Sequence, residues 1–140
     1  MLTQAQADRL IAMLKEAARN EAFVWLQNQR QDELFVAVED AKIQFYLSLK
    51  RNPFEIRLHL RTRDRDIGLV RVDNHLHHIN PDGTEIRDTP HIHVYREGFD
   101  QLPWAEPIDW YDPGNPLGTL ARFLDFVRAR FPAGYQLDMF

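Results

Sequence analysis

The chain has 140 residues, 44% of them apolar and 11% aromatic, which is enough to bury a core and too apolar for a disordered polymer. Its net charge of -4 excludes a global basic field of the kind that draws proteins onto nucleic acid, and the absence of cysteine excludes disulfides, thiolate zinc sites and thiol nucleophiles. No basic stretch leads into an apolar core at the N-terminus, and no apolar run approaches the ~20 residues of a membrane helix; the expectation is a single cytoplasmic domain over residues 1–140 with no membrane association.

Thr3 followed by Gln6 reads as a capping box, and Ala7, Leu10, Ile11, Leu14 and Ala18 recur at helical spacing. This predicts a helix over roughly residues 4–18. "AFVWLQ" and "ELFVAVED" read as two short strands around a polar turn. In "KIQFYLSLK" the apolar Ile43, Phe45, Leu47 and Leu49 alternate with polar residues. "FEIRLHLR" repeats the pattern, with Phe54, Ile56, Leu58 and Leu60 inward and Glu55, Arg57, His59 and Arg61 outward. Such alternation marks antiparallel strands with one buried and one wet face. "IGLVRVD" is a further strand, "NPDG" suits a type I turn, and "HIHVYRE" is another strand. Asn115 and Pro116 open a C-terminal helix with Leu117, Leu120, Leu124, Val127 and Phe131 as its stripe, ended by Pro132 and Gly134. The fold class expected is α+β: a curved antiparallel sheet, including residues 43–49, 54–62 and 90–96, with the N-terminal and C-terminal helices packed on one face.

Period-two alternation places His91, His93, Tyr95 and Glu97 opposite Ile92 and Val94. The apolar pair belongs to the core, so the histidines are expected on the solvent side with Tyr46, Arg57, His59 and Arg61. Residues 50–71 carry seven basic side chains against three acidic ones, a local +4 within an acidic chain. A basic surface lined by imidazoles suits a phosphate or a nucleic-acid backbone. The plain alternative is the solvent side of an ordinary sheet.

Three chemistries compete for the histidines. "HIHVYRE" matches H-x-H-x-x-x-E, the first metal motif of cupins, but no histidine follows His93, so His78 or His59 would have to complete the set. With no closed ligand set the expectation is no metal and no cofactor. Histidine-triad hydrolases need a third alternate histidine, and Tyr95 stands there. Metal-free phosphodiester cleavage needs two imidazoles, one taking and one giving a proton, beside a cation. The candidate catalytic residues are therefore His78, His91, His93 and Tyr95, and the candidate ligand-binding residues are Arg57, His59, Arg61 and Arg71. His75 and His77 read as loop residues without a role, Trp104 as a core plug, and Asn80 as satisfying its own turn.

"LVRVD", "HINPDGTEI", "HIHVYREGFD" and "WAEPI", in that order, resemble an uncharacterised family of small bacterial and phage-borne proteins. The matching positions are Arg71, Asp73, His78, Asn80, Pro81, Asp82, Gly83, His91, His93, Tyr95, Glu97, Gly98, Trp104 and Ala105. The resemblance implies that the histidine hairpin is the distinctive feature, and points by association to toxin–antitoxin or phage-defence roles. The functional expectation is a protein whose histidine/arginine face binds an anionic ligand, RNA or another phosphodiester, as a metal-independent ribonuclease. The alternative is a non-enzymatic, antitoxin-like or inhibitor protein with a cognate protein partner.

Overall fold

The computed structural model describes residues 1–138. Its elements are helix α1 (Gln4–Ala12), β1 (Lys15–Ala17), β2 (Phe23–Trp25), β3 (Gln31–Ala37), β4 (Gln44–Asn52), β5 (Glu55–Thr62), β6 (Gly68–Val72), β7 (His78–Ile79), β8 (Glu85–Ile86), β9 (His91–Val94), β10 (Ala105–Pro107), helix α2 (Pro116–Val127), β11 (Ala129–Arg130) and β12 (Tyr135–Leu137). Eight strands form one open, curved sheet in the order β10-β9-β6-β5-β4-β3-β1-β11, antiparallel except where β1 meets β11. Side chains from both helices join Phe45, Leu47, Leu49, Ile56, Leu58, Leu60, Val70, Val72 and Ile92 in one hydrophobic cluster. The architecture is the α+β arrangement that the alternation predicts. Among the described residues no helix is long and apolar enough to cross a membrane.

Several local expectations need correction. The capping box at Thr3 and Gln6 forms, but α1 stops at Ala12 and Met13 turns extended. Leu14 and Ala18 therefore lie outside the helix. The cause is Lys15. Its buried ammonium donates to the carbonyls of Ile11 (2.8 Å) and Met13 (2.8 Å) at the end of α1 and of Val127 (2.7 Å) at the end of α2, and it sits 4.9 Å from the centre of the Phe45 ring. One cation thus satisfies orphan carbonyls of two helices and pins both to the sheet. The strands from "AFVWLQ" and "ELFVAVED" do not pair with each other: β2 pairs in parallel with β12, while β3 lies between β1 and β4. Phe54, expected inward, is 84% exposed in the two-residue turn between Asn52 and Glu55. Phe131 lies beyond α2 and stacks on Phe23 at 4.9 Å.

Burial, and then the neighbouring Arg128 guanidinium, lower the Lys15 pKa to about 7. The unfolded chain therefore holds the extra proton between pH 7 and 10.5, so wild-type stability rises with pH across that window. Lys15→Met preserves volume but leaves three carbonyls without this donor. It is expected to lower the unfolding free energy by about 1–3 kcal/mol at neutral pH. It should also abolish that pH-dependent gain, which urea denaturation of both proteins at neutral pH and about pH 9 measures.

Candidate functional site

The site is built on the outer face of the sheet, where one row of paired residues runs straight across five strands. Asp32 of β3 opposes Ser48 of β4, Ser48 opposes His59 of β5, His59 opposes Arg71 of β6, and Arg71 opposes His93 of β9. Paired residues share a face, so strand spacing alone sets these side chains side by side at steps of about 4.8 Å. Lys50 and Arg57 form a second pair on the same face.

A cleft of about 740 Å³ opens over this face. Arg30, Lys50, Arg57 and Arg71 line it with His59, His75, His77, His78 and His93, and Asp73 is its one acidic wall residue. Arg71 leaves its buried Nε without a hydrogen-bond partner, while Asp73 lies 3.7 Å away. His59 is half-buried, and its Nε2 also lacks a partner. Burial first, then Arg71 and Arg61, lower its pKa to about 4. A Cβ on Gly68 would come within 2.9 Å of His59 Nε2, so the imidazole occupies space that only glycine leaves free.

At the β9 end of the row the expected wet surface is not wet. His91 and His93 are 2% and 4% exposed, and Tyr95 is buried as well. The β7–β8 hairpin and the 99–104 segment cover this part of the sheet. The hairpin turns at Asn80–Gly83, where Gly83 takes φ +88° and its N–H donates to the Asn80 carbonyl. Its anchor is the Asn80 side chain. The amide Nδ2 donates to the Ala105 carbonyl (2.9 Å) and Oδ1 accepts from the Ala105 N–H (2.8 Å), so Asn80 pairs with the edge strand β10 as a backbone would. That corrects the expectation that Asn80 serves its own turn.

The clamp holds His78 over β9. Ring centroids are 5.4 Å apart for His78 and His91, 4.8 Å for His78 and His93, and 5.0 Å for His91 and His93. One ring nitrogen from each lies within 4.8 Å of the other two. Each ring also faces a backbone carbonyl: His78 Nε2 that of Pro103 (2.6 Å), His91 Nδ1 that of Thr89 (3.1 Å), His93 Nδ1 that of Leu102 (2.7 Å). A carbonyl only accepts, so those nitrogens carry the protons and the opposite nitrogens carry lone pairs. Burial, and then the charge of Arg71, lower the His93 pKa to about 4. The 101–103 backbone takes an uncommon path to reach these rings. Gln101 and Leu102 both have positive φ, +65° and +52°. Such a conformation costs roughly 1–2 kcal/mol per residue. It directs two successive carbonyls onto two imidazoles.

Other predicted residues lie elsewhere. Tyr95 donates its hydroxyl to the Leu2 carbonyl (2.5 Å), packed under the N-terminal segment and outside the cleft lining. Glu97, the carboxylate of the cupin-like spacing, accepts from the Gln4 N–H, and its place beside the histidines is taken by His78. Arg61 is committed to Asp66 (2.7 Å), Asp32 (3.6 Å) and the Ser48 hydroxyl, and does not line the cleft. His75 bonds Asp73 and His77 bonds Glu85 at the cleft rim. Trp104 is half-buried beneath the Arg96 guanidinium, 4.1 Å from the ring centre, rather than plugging the core. Lys50 counts among the basic residues of 50–71 but is not among the ligand-binding candidates, although its alternation with Leu49 places it beside Arg57. The role of Gln101 and Leu102 has no local signature.

Residues 2–128 match the family described as Family of unknown function (DUF6978), and the chain belongs to it. No curated protein and no solved structure matches the chain.

Asn80→Ala removes both bonds to Ala105 and the anchor that keeps His78 over β9. The expected cost is about 1–3 kcal/mol of stability. Faster hydrogen exchange at the Ala105 amide, together with a displaced His78 imidazole signal in the NMR spectrum, checks that the loss is local to the hairpin.

Proposed function

We propose that this protein binds a phosphodiester, single-stranded RNA in the first instance, along the cationic row of the sheet that leads to the imidazole trio. The observation that supports this reading is the charge of the cleft. Arg30, Lys50, Arg57 and Arg71 line it against the single wall carboxylate of Asp73, in a chain whose net charge is -4, with Arg30 paired to Asp32 and Arg57 to Glu55 just outside the lining. A concave wall of guanidinium, ammonium and N–H groups stabilises a phosphate chain, and the acidic remainder of the surface confines that attraction to one place. Lys50 is exposed and forms no salt bridge among the described residues, so its charge is free for a ligand. The metal-free acid–base scheme fits the trio less well. That scheme needs one imidazole that gives a proton into the cleft, whereas each ring here points its N–H at a backbone carbonyl.

The test is fluorescence anisotropy with a labelled RNA oligonucleotide over a salt series, with cleavage followed on denaturing gels. Binding should weaken with salt. Lys50→Ala and Arg57→Ala should each weaken it several-fold and reduce the log–log salt slope by about 0.7 per phosphate contact removed. Absence of binding at low salt, or binding indifferent to both substitutions, overturns the reading.

A further inference from the structure

We infer that His78, His91 and His93 form a binding site for one divalent transition-metal ion, with the open side of the ion facing the cleft. The inference stands on the geometry of the trio and does not require that the cleft bind RNA.

Three imidazoles are brought together from two short strands, β7 and β9, and one ring nitrogen of each lies within 4.8 Å of the other two. Metal–imidazole bonds of about 2.0–2.1 Å place ligand nitrogens roughly 3.3 Å apart. The widest pair therefore needs to close by about 1.5 Å at most, within reach of small side-chain rotations on a fixed backbone. The rings are not stacked: their planes meet at 30°, 77° and 64°. Tilted rings can turn their lone pairs toward a common point by small side-chain rotations.

The hydrogen bonds argue in the same direction. The side-chain hydrogen bond of each ring goes to a carbonyl, the usual outer partner of a metal-bound histidine, which fixes the tautomer and raises the basicity of the other nitrogen. The nitrogen of each ring opposite that bond keeps a lone pair available to a cation. A cluster retained for packing alone would gain more from apolar side chains. The positive-φ backbone at Gln101 and Leu102 is a further cost, spent on aiming the carbonyls that orient His78 and His93.

The ligand chemistry selects the ion. Three neutral imidazoles, without thiolate or carboxylate, suit zinc, and also cobalt, nickel or iron in their divalent states, and disfavour calcium and magnesium. Three protein ligands leave at least one coordination position open, the pattern of a reactive rather than a structural ion. His78 and His93 line the cleft whereas His91 lies behind them, so the open position faces the cationic row.

The experiment uses the full chain without a histidine tag. Protein stripped by chelator is titrated with Zn²⁺ by calorimetry and with Co²⁺ by its visible absorption. One equivalent should bind, with an intense d–d band characteristic of low coordination number. His78→Asn, the least buried of the three changes, should weaken uptake by ~100-fold or more, because losing a ligand exceeds the 10- to 100-fold cost of losing an outer partner. His77→Ala, one residue away on the rim, should leave uptake unchanged. Thermal melts of the stripped proteins establish that each variant is folded. No stoichiometric uptake of either ion by folded wild type overturns the site. So does undiminished uptake by folded His78→Asn, or an equal loss in His77→Ala. RNA binding is measured on the same samples: metal uptake without RNA binding refutes only the phosphodiester reading, and RNA binding without metal uptake refutes only the site.

Discussion

Strand β9 is buried on both faces, and the site follows from that one constraint. Ile92 faces the core while His91 and His93 face the other way, yet all three are buried. An antiparallel strand near a sheet edge ordinarily keeps one side in water. Here the chain folds a hairpin and an irregular segment over that side, and two imidazoles leave solvent. Each buried ring must then find an acceptor for its N–H. Thr89, two residues back, serves His91; the left-handed turn at Gln101 and Leu102 serves His93 and supplies the neighbouring Pro103 carbonyl to His78. Asn80 in turn fixes the hairpin by standing in for a strand residue beside Ala105. Remove the cover and the histidines become ordinary surface residues.

The remainder of the outer face is governed by register. Because partners in adjacent strands share a side, the row from Asp32 to His93 is a consequence of pairing alone. Its two ends differ in kind. At the β3 end, Arg61, Asp32, Asp66 and Ser48 satisfy one another, so that end is electrostatically closed. Toward β9, His59 and Arg71 retain unpartnered nitrogens and the acids thin out to Asp73.

How much of this was legible in the sequence depended on how local the cause was. The alternation of β4 and β5 and the caps at Thr3 and Asn115 act over a few residues, and they were readable. The end of α1 was not, because Leu14 and Ala18 continue the helical period while the ammonium that ends the helix finds a partner at Val127. Strands of two or three residues such as β1, β11 and β12 carry too little pattern to announce themselves, and their pairings span the chain. Alternation identified the side of the sheet that His91 and His93 occupy. It could not say that the side would be covered, since the cover comes from other segments. The same limit moved Tyr95 from the candidate site to the underside of the N-terminus.

The differing origins of the three histidines matter for what the site can do. His91 and His93 sit on a four-residue strand held between β6 and β10, with both neighbours in register. Their separation is set by the pleat and is hard to change. His78 rides on a two-residue strand whose hairpin contacts the sheet through Asn80 and the Pro103 carbonyl. Two rigid donors and one on a lighter tether form a set that a small ion can draw together without disturbing the sheet. The tethered histidine also lines the cleft. Under the readings proposed above, a ligand in the cleft and an ion held by the trio would meet at the same side chain, His78.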